Sequence, residues 1–134
     1  MTIQVFWDDS FHHVIRYVIE GHWTWDEFYA VHQQARRMAS LQPHRVDVIV
    51  EALTDDVPPN FLTNLKGIAS RQIANAGITV LVSSSRFLSV MLGAGQKLDP
   101  NISYYFQAAP TVDEAYRLIE ENRTKTGKSE TSTP

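Results

Sequence analysis

Cysteine is absent from the chain, which excludes disulfides, thiolate nucleophiles and cysteine-based zinc or iron–sulfur sites. A cysteine-free chain fits a reducing compartment, so a cytoplasmic location is the expectation. There is no run of 18 apolar residues, about the minimum for a membrane-spanning helix. The opening Met1-Thr2-Ile3-Gln4 shows no basic segment followed by an apolar one, so no secretory signal is expected. Positive charge is neither abundant nor clustered. The 12 Lys and Arg are scattered and the formal net charge is −3, which argues against nucleic acid or an anionic membrane as the main partner. Glycine-rich phosphate loops with a Walker lysine, His-Glu-x-x-His pairs and Gly-x-Ser-x-Gly elbows are all missing.

What remains is an ordinary globular composition, long enough for a single core that needs no metal or disulfide staple. Ile3, Val5 and Trp7 alternate, Asp8-Asp9-Ser10 offers turn chemistry, and Val14 to Ile19 is a β-branched run, which predicts an antiparallel hairpin. Thr24-Trp25-Asp26-Glu27 reads as a capping box, with Trp23 and Phe28 as its hydrophobic staple. Phe28, Val31, Ala35, Met38 and Ala39 carry the apolar stripe of the helix that follows. Val46 to Leu53 is a central strand in which Asp47 and Glu51, at an even separation, share one face. Pro58-Pro59 fits a helix opening, with Phe61, Leu65 and Ile68 on its apolar side. Ile78 to Val82 is the next strand, and Ser83-Ser84-Ser85 offers a cap to a third helix. Ile102, Tyr104 and Phe106 alternate as a last strand, and Thr111-Val112-Asp113-Glu114 is a second capping box. The reading is α/β: a single mixed, mostly parallel five-stranded sheet with helical crossovers, in the order ββαβαβαβα. One domain over residues 1–123 is expected, followed by a disordered tail over 124–134.

The opening hairpin, the strand VDVIVEAL, the strand ITVLVS and the ending FQAAPTVDEAYRLI together resemble the STAS domain. This is the module of sulfate-transporter tails and anti-sigma-factor antagonists, the sporulation-antagonist-like proteins. The resemblance runs from Ile3 to Arg123 and implies a non-catalytic, regulatory binding domain. Anti-sigma antagonists carry Asp-Ser-(Ser/Thr)-Gly at the second helix, whereas this chain has Thr54-Asp55-Asp56-Val57-Pro58-Pro59-Asn60. The phosphorylatable serine of that motif is therefore missing. Other STAS-like proteins lack it too, and some look like binders of apolar ligands or of membrane-associated partners.

Several clusters could carry chemistry. Glu51, Asp55 and Asp56 fall at the carboxyl end of a central strand, where three carboxylates could hold a divalent cation. A polar turn that favours the next helix N-terminus explains Asp55 and Asp56 more simply. His12, His13, His22, His32 and His44 form no metal-ligand spacing, so neither a metal nor another cofactor is expected. Ser83, Ser84 and Ser85 form a possible ligand or anion site, with N-capping the simpler role. Trp25, Tyr29, His32 and Arg36 recur at i, i+4, i+7 and i+11, a second stripe beside the core stripe of the first helix. Residues of these types are enriched at interface hot spots, so a protein partner is expected there, a homodimer being the simplest. The expected function is a regulatory protein–protein interaction module. A small apolar-ligand or lipid carrier, served by the helix around Met91 and Leu92, is the alternative, and an enzyme comes third.

Overall fold

Asp9 closes the opening turn: its Oδ1 accepts the backbone N–H of His13 at 2.7 Å and of Val14 at 2.9 Å. That turn sets strand β1 (Ile3–Trp7) antiparallel to β2 (Val14–Ile19), with Ile3 opposite Ile19 and Trp7 opposite Ile15. The computed structural model describes residues 2–131. Among these, β3 (Val46–Ala52), β4 (Ala76–Val82) and β5 (Phe106–Ala109) join the hairpin in one sheet, ordered β1-β2-β3-β4-β5. From β2 onward every neighbouring pair is parallel. The mixed α/β sheet read from the sequence is therefore present.

The connections hold α1 (Trp25–Ser40), α2 (Phe61–Ala69), α3 (Arg86–Leu98) and α4 (Pro100–Tyr105); α5 (Val112–Thr131) follows β5. Crossovers of one hand that step across a sheet in one direction place their helices on one face. The core divides accordingly. One cluster unites α1, α2, α3 and α4 with Ile15, Tyr17, Ile19, Val46, Val50 and Phe106 of the sheet. The opposite face, through Val14, Ile49, Ile78, Val80 and Val82, packs on Ala115 and Ile119 of α5.

The first helix begins as its sequence predicts. Thr24 Oγ1 accepts the N–H of Glu27 at 3.2 Å, and Glu27 Oε1 accepts the N–H of Thr24 at 3.2 Å. The Trp23 and Phe28 rings meet at 5.9 Å, closing the staple. The second box forms only in part. Thr111 Oγ1 accepts from Glu114 N at 3.1 Å, while the Glu114 carboxylate turns to Arg117.

The predicted alternation over Ile102, Tyr104 and Phe106 gives way to helix α4 and a shorter strand. Asp99 explains the change: its Oδ1 accepts from Asn101 N and Ile102 N at 2.8 and 3.3 Å, and Pro100 sits in the first helical turn. A capped helical start outweighs a short period-2 pattern. The serines before α3 also differ from expectation. Ser85 occupies the N-cap position without a side-chain cap bond, and Ser83 Oγ accepts from Ser85 N at 3.0 Å instead. Helix α2 starts at Phe61, after Asn60 in the left-handed region at φ 66°, so the two prolines lie before the helix. Helix α5 continues past Arg123 to Thr131, over part of the segment expected to be a tail, and residues 132–134 lie outside those described.

Asp47 and Glu51 do share a face, the one under α5, but their surroundings differ. Asp47 is fully buried, the one charged residue in the core among the described residues. Its Oδ1 accepts from Arg45 Nη2 at 2.7 Å and Ile78 N at 2.8 Å, and its Oδ2 from Arg123 Nε at 2.8 Å. Three donors and two cations compensate the cost of burying a carboxylate. Glu51 is half-buried and accepts from Arg16 Nη1 at 3.1 Å. Arg16 in turn binds Asp8.

Candidate functional site

Parallel strands place alternate residues beneath the four-helix face, and there Tyr17, Val48, Val50, Thr79 and Leu81 form a floor. Trp25, Phe28 and His32 of α1 and Phe61, Leu65 and Ile68 of α2 form walls above it. Leu88 and Leu92 of α3 complete the far side. These elements line a partly open cavity of about 60 Å³. Its walls are almost wholly carbon, so water entering it finds few partners.

Aromatic rings dominate one side. Trp25 lies 5.6 Å from Phe28 and 6.1 Å from Phe61, and Trp23 lies 5.0 Å from Trp25. The segment between β3 and α2 closes over this cluster. Trp23 Nε1 donates to the Asp56 carbonyl and Trp25 Nε1 to the Pro59 carbonyl, each at 2.7 Å. Each indole thus buries a carbon face while its N–H is satisfied.

The polar contact in the wall is between Tyr17 and His32, whose hydroxyl and Nδ1 are 2.7 Å apart. Tyr17 is only 1% exposed, and burial pushes its pKa above the ordinary tyrosine value. Burial, and then the nearby Arg36 charge, lower the His32 pKa from 6.5 to about 4. His32 is therefore neutral at pH 7. A neutral ring that accepts the Tyr17 proton at Nδ1 carries its own hydrogen on Nε2. This arrangement leaves no buried hydroxyl proton unpaired.

The first-helix stripe is brought together, with its polar tips bonded within the chain. Besides the Trp25 and His32 bonds, Tyr29 Oη donates to Asn64 Oδ1 at 2.6 Å and Arg36 Nη1 to the Arg71 carbonyl at 2.7 Å. All four side chains are half-buried. The stripe expected to meet a partner makes contacts with α2, its flanking segments and β2 of the same chain, and each of its side chains keeps part of its surface exposed. The reason is geometric: α2 crosses beside α1 on the same face of the sheet, and the polar tips find internal acceptors.

The acidic cluster splits. Glu51 and Asp55 border an open cleft at the carboxyl ends of β3, β4 and β5, together with Ser83, Ser84 and Thr111. Asp56 turns to the other side, against His22 and the aromatic wall. Ser85 borders a separate shallow hollow with Ser83 and Ser84. Among the described residues, no three His, Asp or Glu side chains converge to hold a metal. No helix among them is long and apolar enough to cross a membrane.

Sequence reasoning missed Tyr17, which lies within the strand run Val14 to Ile19, and assigned Phe28 to the core without its role as cavity wall. The spacing of Trp25, Phe28 and His32 at i, i+3 and i+7 was the available signal, since those residues share one helix flank. No protein-family model, curated protein or solved structure matches the chain. The site's chemistry therefore rests on its geometry.

Proposed function

We propose that this chain is a non-catalytic binding protein for a small apolar molecule, held between the sheet and helices α1 to α3. The observation that carries the reading is the cavity itself. It is walled by aromatic and aliphatic side chains and carries one internally satisfied polar pair, Tyr17 and His32. Its lining matches that of ligand pockets, apolar walls with a few placed polar groups, but its space is well below their usual ~300–1,000 Å³, so the ligand is a molecule of few heavy atoms. Filling the void restores dispersion contacts that the walls otherwise forfeit. The reading keeps the STAS-like expectation of a binding module and moves the binding surface from the outside of α1 to its inner flank.

The test is direct titration. Trp23 and Trp25 line the cavity, so their fluorescence reports entry of an aliphatic alcohol or acid. Native mass spectrometry of freshly purified protein reports any ligand carried from the host. Ala52→Leu places added carbons in the same space and is expected to weaken binding at least tenfold without unfolding the chain. Equal affinity in the variant, or no binding of either compound class to the wild type, overturns the reading.

A further inference from the structure

Helix α3 buries Leu88 and Leu92 in the core, and beside that stripe runs a second, largely exposed one. Phe87, Val90, Ala94 and Leu98 recur at i, i+3, i+7 and i+11, so they share one flank of the helix. Phe87 is 57% exposed, Val90 65% and Leu98 79%. A lone exposed apolar side chain needs no explanation, whereas a contiguous row of them marks a contact surface. None of these three borders the apolar cavity or the cleft at the strand ends.

Charge around this row is one-sided. No Asp or Glu occurs from Val57 to Leu98, although the chain holds 15 of them, so the net charge of −3 is unevenly spread. That span contains Lys66, Arg71, Arg86 and Lys97, each exposed. Its two helices, α2 and α3, pack on the same face of the sheet. Arg86 opens α3 and Lys97 stands in its last turn, and helical spacing puts both on the side away from Leu88 and Leu92. No ion pair joins Lys66, Arg86 or Lys97 to an acid among the described residues. Asp99, the next acid in sequence, caps α4 through the N–H groups of Asn101 and Ile102.

We propose that the outer side of α3, with the exposed cations of the α2 region, docks on an anionic lipid bilayer. Phe87, Val90 and Leu98 enter the boundary between headgroups and acyl chains, while Arg86 and Lys97 meet the lipid phosphates and carboxylates. Helices that lie on membranes combine an apolar side with Lys and Arg in this way. Charge favours a bilayer over a second copy of the chain. Two α3 helices laid parallel would set Arg86 beside Arg86, and laid antiparallel would set Arg86 beside Lys97. An anionic leaflet attracts every one of these cations. The docking face is separate from the apolar cavity and does not depend on what the cavity holds.

The experiment sediments the full chain with vesicles of phosphatidylcholine alone and of phosphatidylcholine with about 30% phosphatidylserine. The wild type is expected to bind the anionic vesicles about tenfold tighter or more, with added salt removing the difference. The Phe87→Ser, Leu98→Ser double variant is expected to lose binding to both vesicles. The Arg86→Gln, Lys97→Gln double variant is expected to lose the anionic preference. All four positions are exposed, so melting midpoints near the wild type are expected. If the serine pair does not fold, the glutamine pair still decides. Phe11→Ser, at a 76% exposed position of the hairpin turn, is expected to change nothing. Equal binding of the wild type to both vesicles, or to neither, overturns the inference. An anionic preference that survives in the glutamine pair overturns it too. Self-association seen by light scattering and abolished by the serine pair, without vesicle binding, overturns it and gives the flank to a second copy. Each of these results leaves the cavity reading standing, since alcohol titration reads Trp23 and Trp25 at a different place.

Discussion

Arg123, near the middle of α5, reaches Asp47 in the second position of β3, with Nε 2.8 Å and Nη2 2.7 Å from Oδ2. The contact ties the last helix to the middle of the sheet across 76 residues of chain. Asp47 is fully buried, while Arg45 and Arg123 keep side-chain exposures of 14% and 28%. The carboxylate is therefore the member that depends most on its partners.

Asp47→Ala is expected to lower stability by about 3 kcal/mol, the lower end for breaking a buried pair, because the two arginines retain some water. Gly77→Ala is expected to act on the same network. A methyl group there would overlap Asp47 Oδ1 and Arg45 Nε, so the pair would have to move. A loss of about 1–3 kcal/mol fits such overpacking. Urea unfolding of both variants checks this, and midpoints equal to the wild type in both would show that the network contributes nothing.

His32 makes stability depend on pH in a defined direction. Its pKa is about 4 in the folded chain against an ordinary 6.5, through burial and the Arg36 charge. Between those values the unfolded chain binds a proton that the folded chain does not. The contribution is therefore fully present above about pH 6.5 and is lost as pH falls to about 4, by up to about 3 kcal/mol. Tyr17 of β2 lies 2.7 Å from the ring's Nδ1, and the Arg36 charge on α1 acts on it. His32→Phe is expected to be less stable at pH 7, since Tyr17 loses its partner, yet flatter between pH 6.5 and 4. Parallel stability–pH curves for the two proteins would remove His32 from the account.

The two threonine caps are expected to differ in strength. Thr24 takes part in a reciprocal box, whereas Thr111 contributes one backbone bond. Each change to alanine is expected to cost about 1 kcal/mol, with the larger loss at Thr24. Thermal melts of the two variants order them, and a larger loss at Thr111 would contradict the geometry.

Trp25→Ala is expected to weaken the protomer itself. The ring contacts Trp23, Phe28, Tyr29 and Phe61, and its N–H holds the Pro59 carbonyl. A loss of about 3 kcal/mol follows from removing a large aromatic group from such a contact. Unfolding curves measured at several protein concentrations separate this from an interface role. A midpoint that shifts with concentration in the wild type, but not in the variant, would return the α1 flank to a partner.

The candidate site was only partly legible. Trp25, Tyr29, His32 and Arg36 were identifiable as one flank, because helical spacing alone puts them there. Whether that flank faces water or another helix depends on where α2 lies, and no spacing within α1 carries that information. Asp47 was visible as a carboxylate inside an apolar strand. Its partners Arg45 and Arg123 were not, because one comes from the preceding loop and the other from a helix 76 residues away.

Local chemistry in the chain determines the element types: the Asp9 turn, the Thr24 box, the β-branched strands and the parity that puts Asp47 beside Glu51. These interactions span a few residues, and their energies do not depend on distant parts of the fold. The exchange of a strand for α4 belongs here too, since Asp99 and Pro100 start that helix from within three residues. Tertiary structure alone decided that four helices share one face of the sheet and that the polar tips of the Trp25 flank bond within the chain. Those outcomes depend on the order in which strands add to the sheet and on how helices pack side by side. Both are set by contacts between residues far apart in the chain.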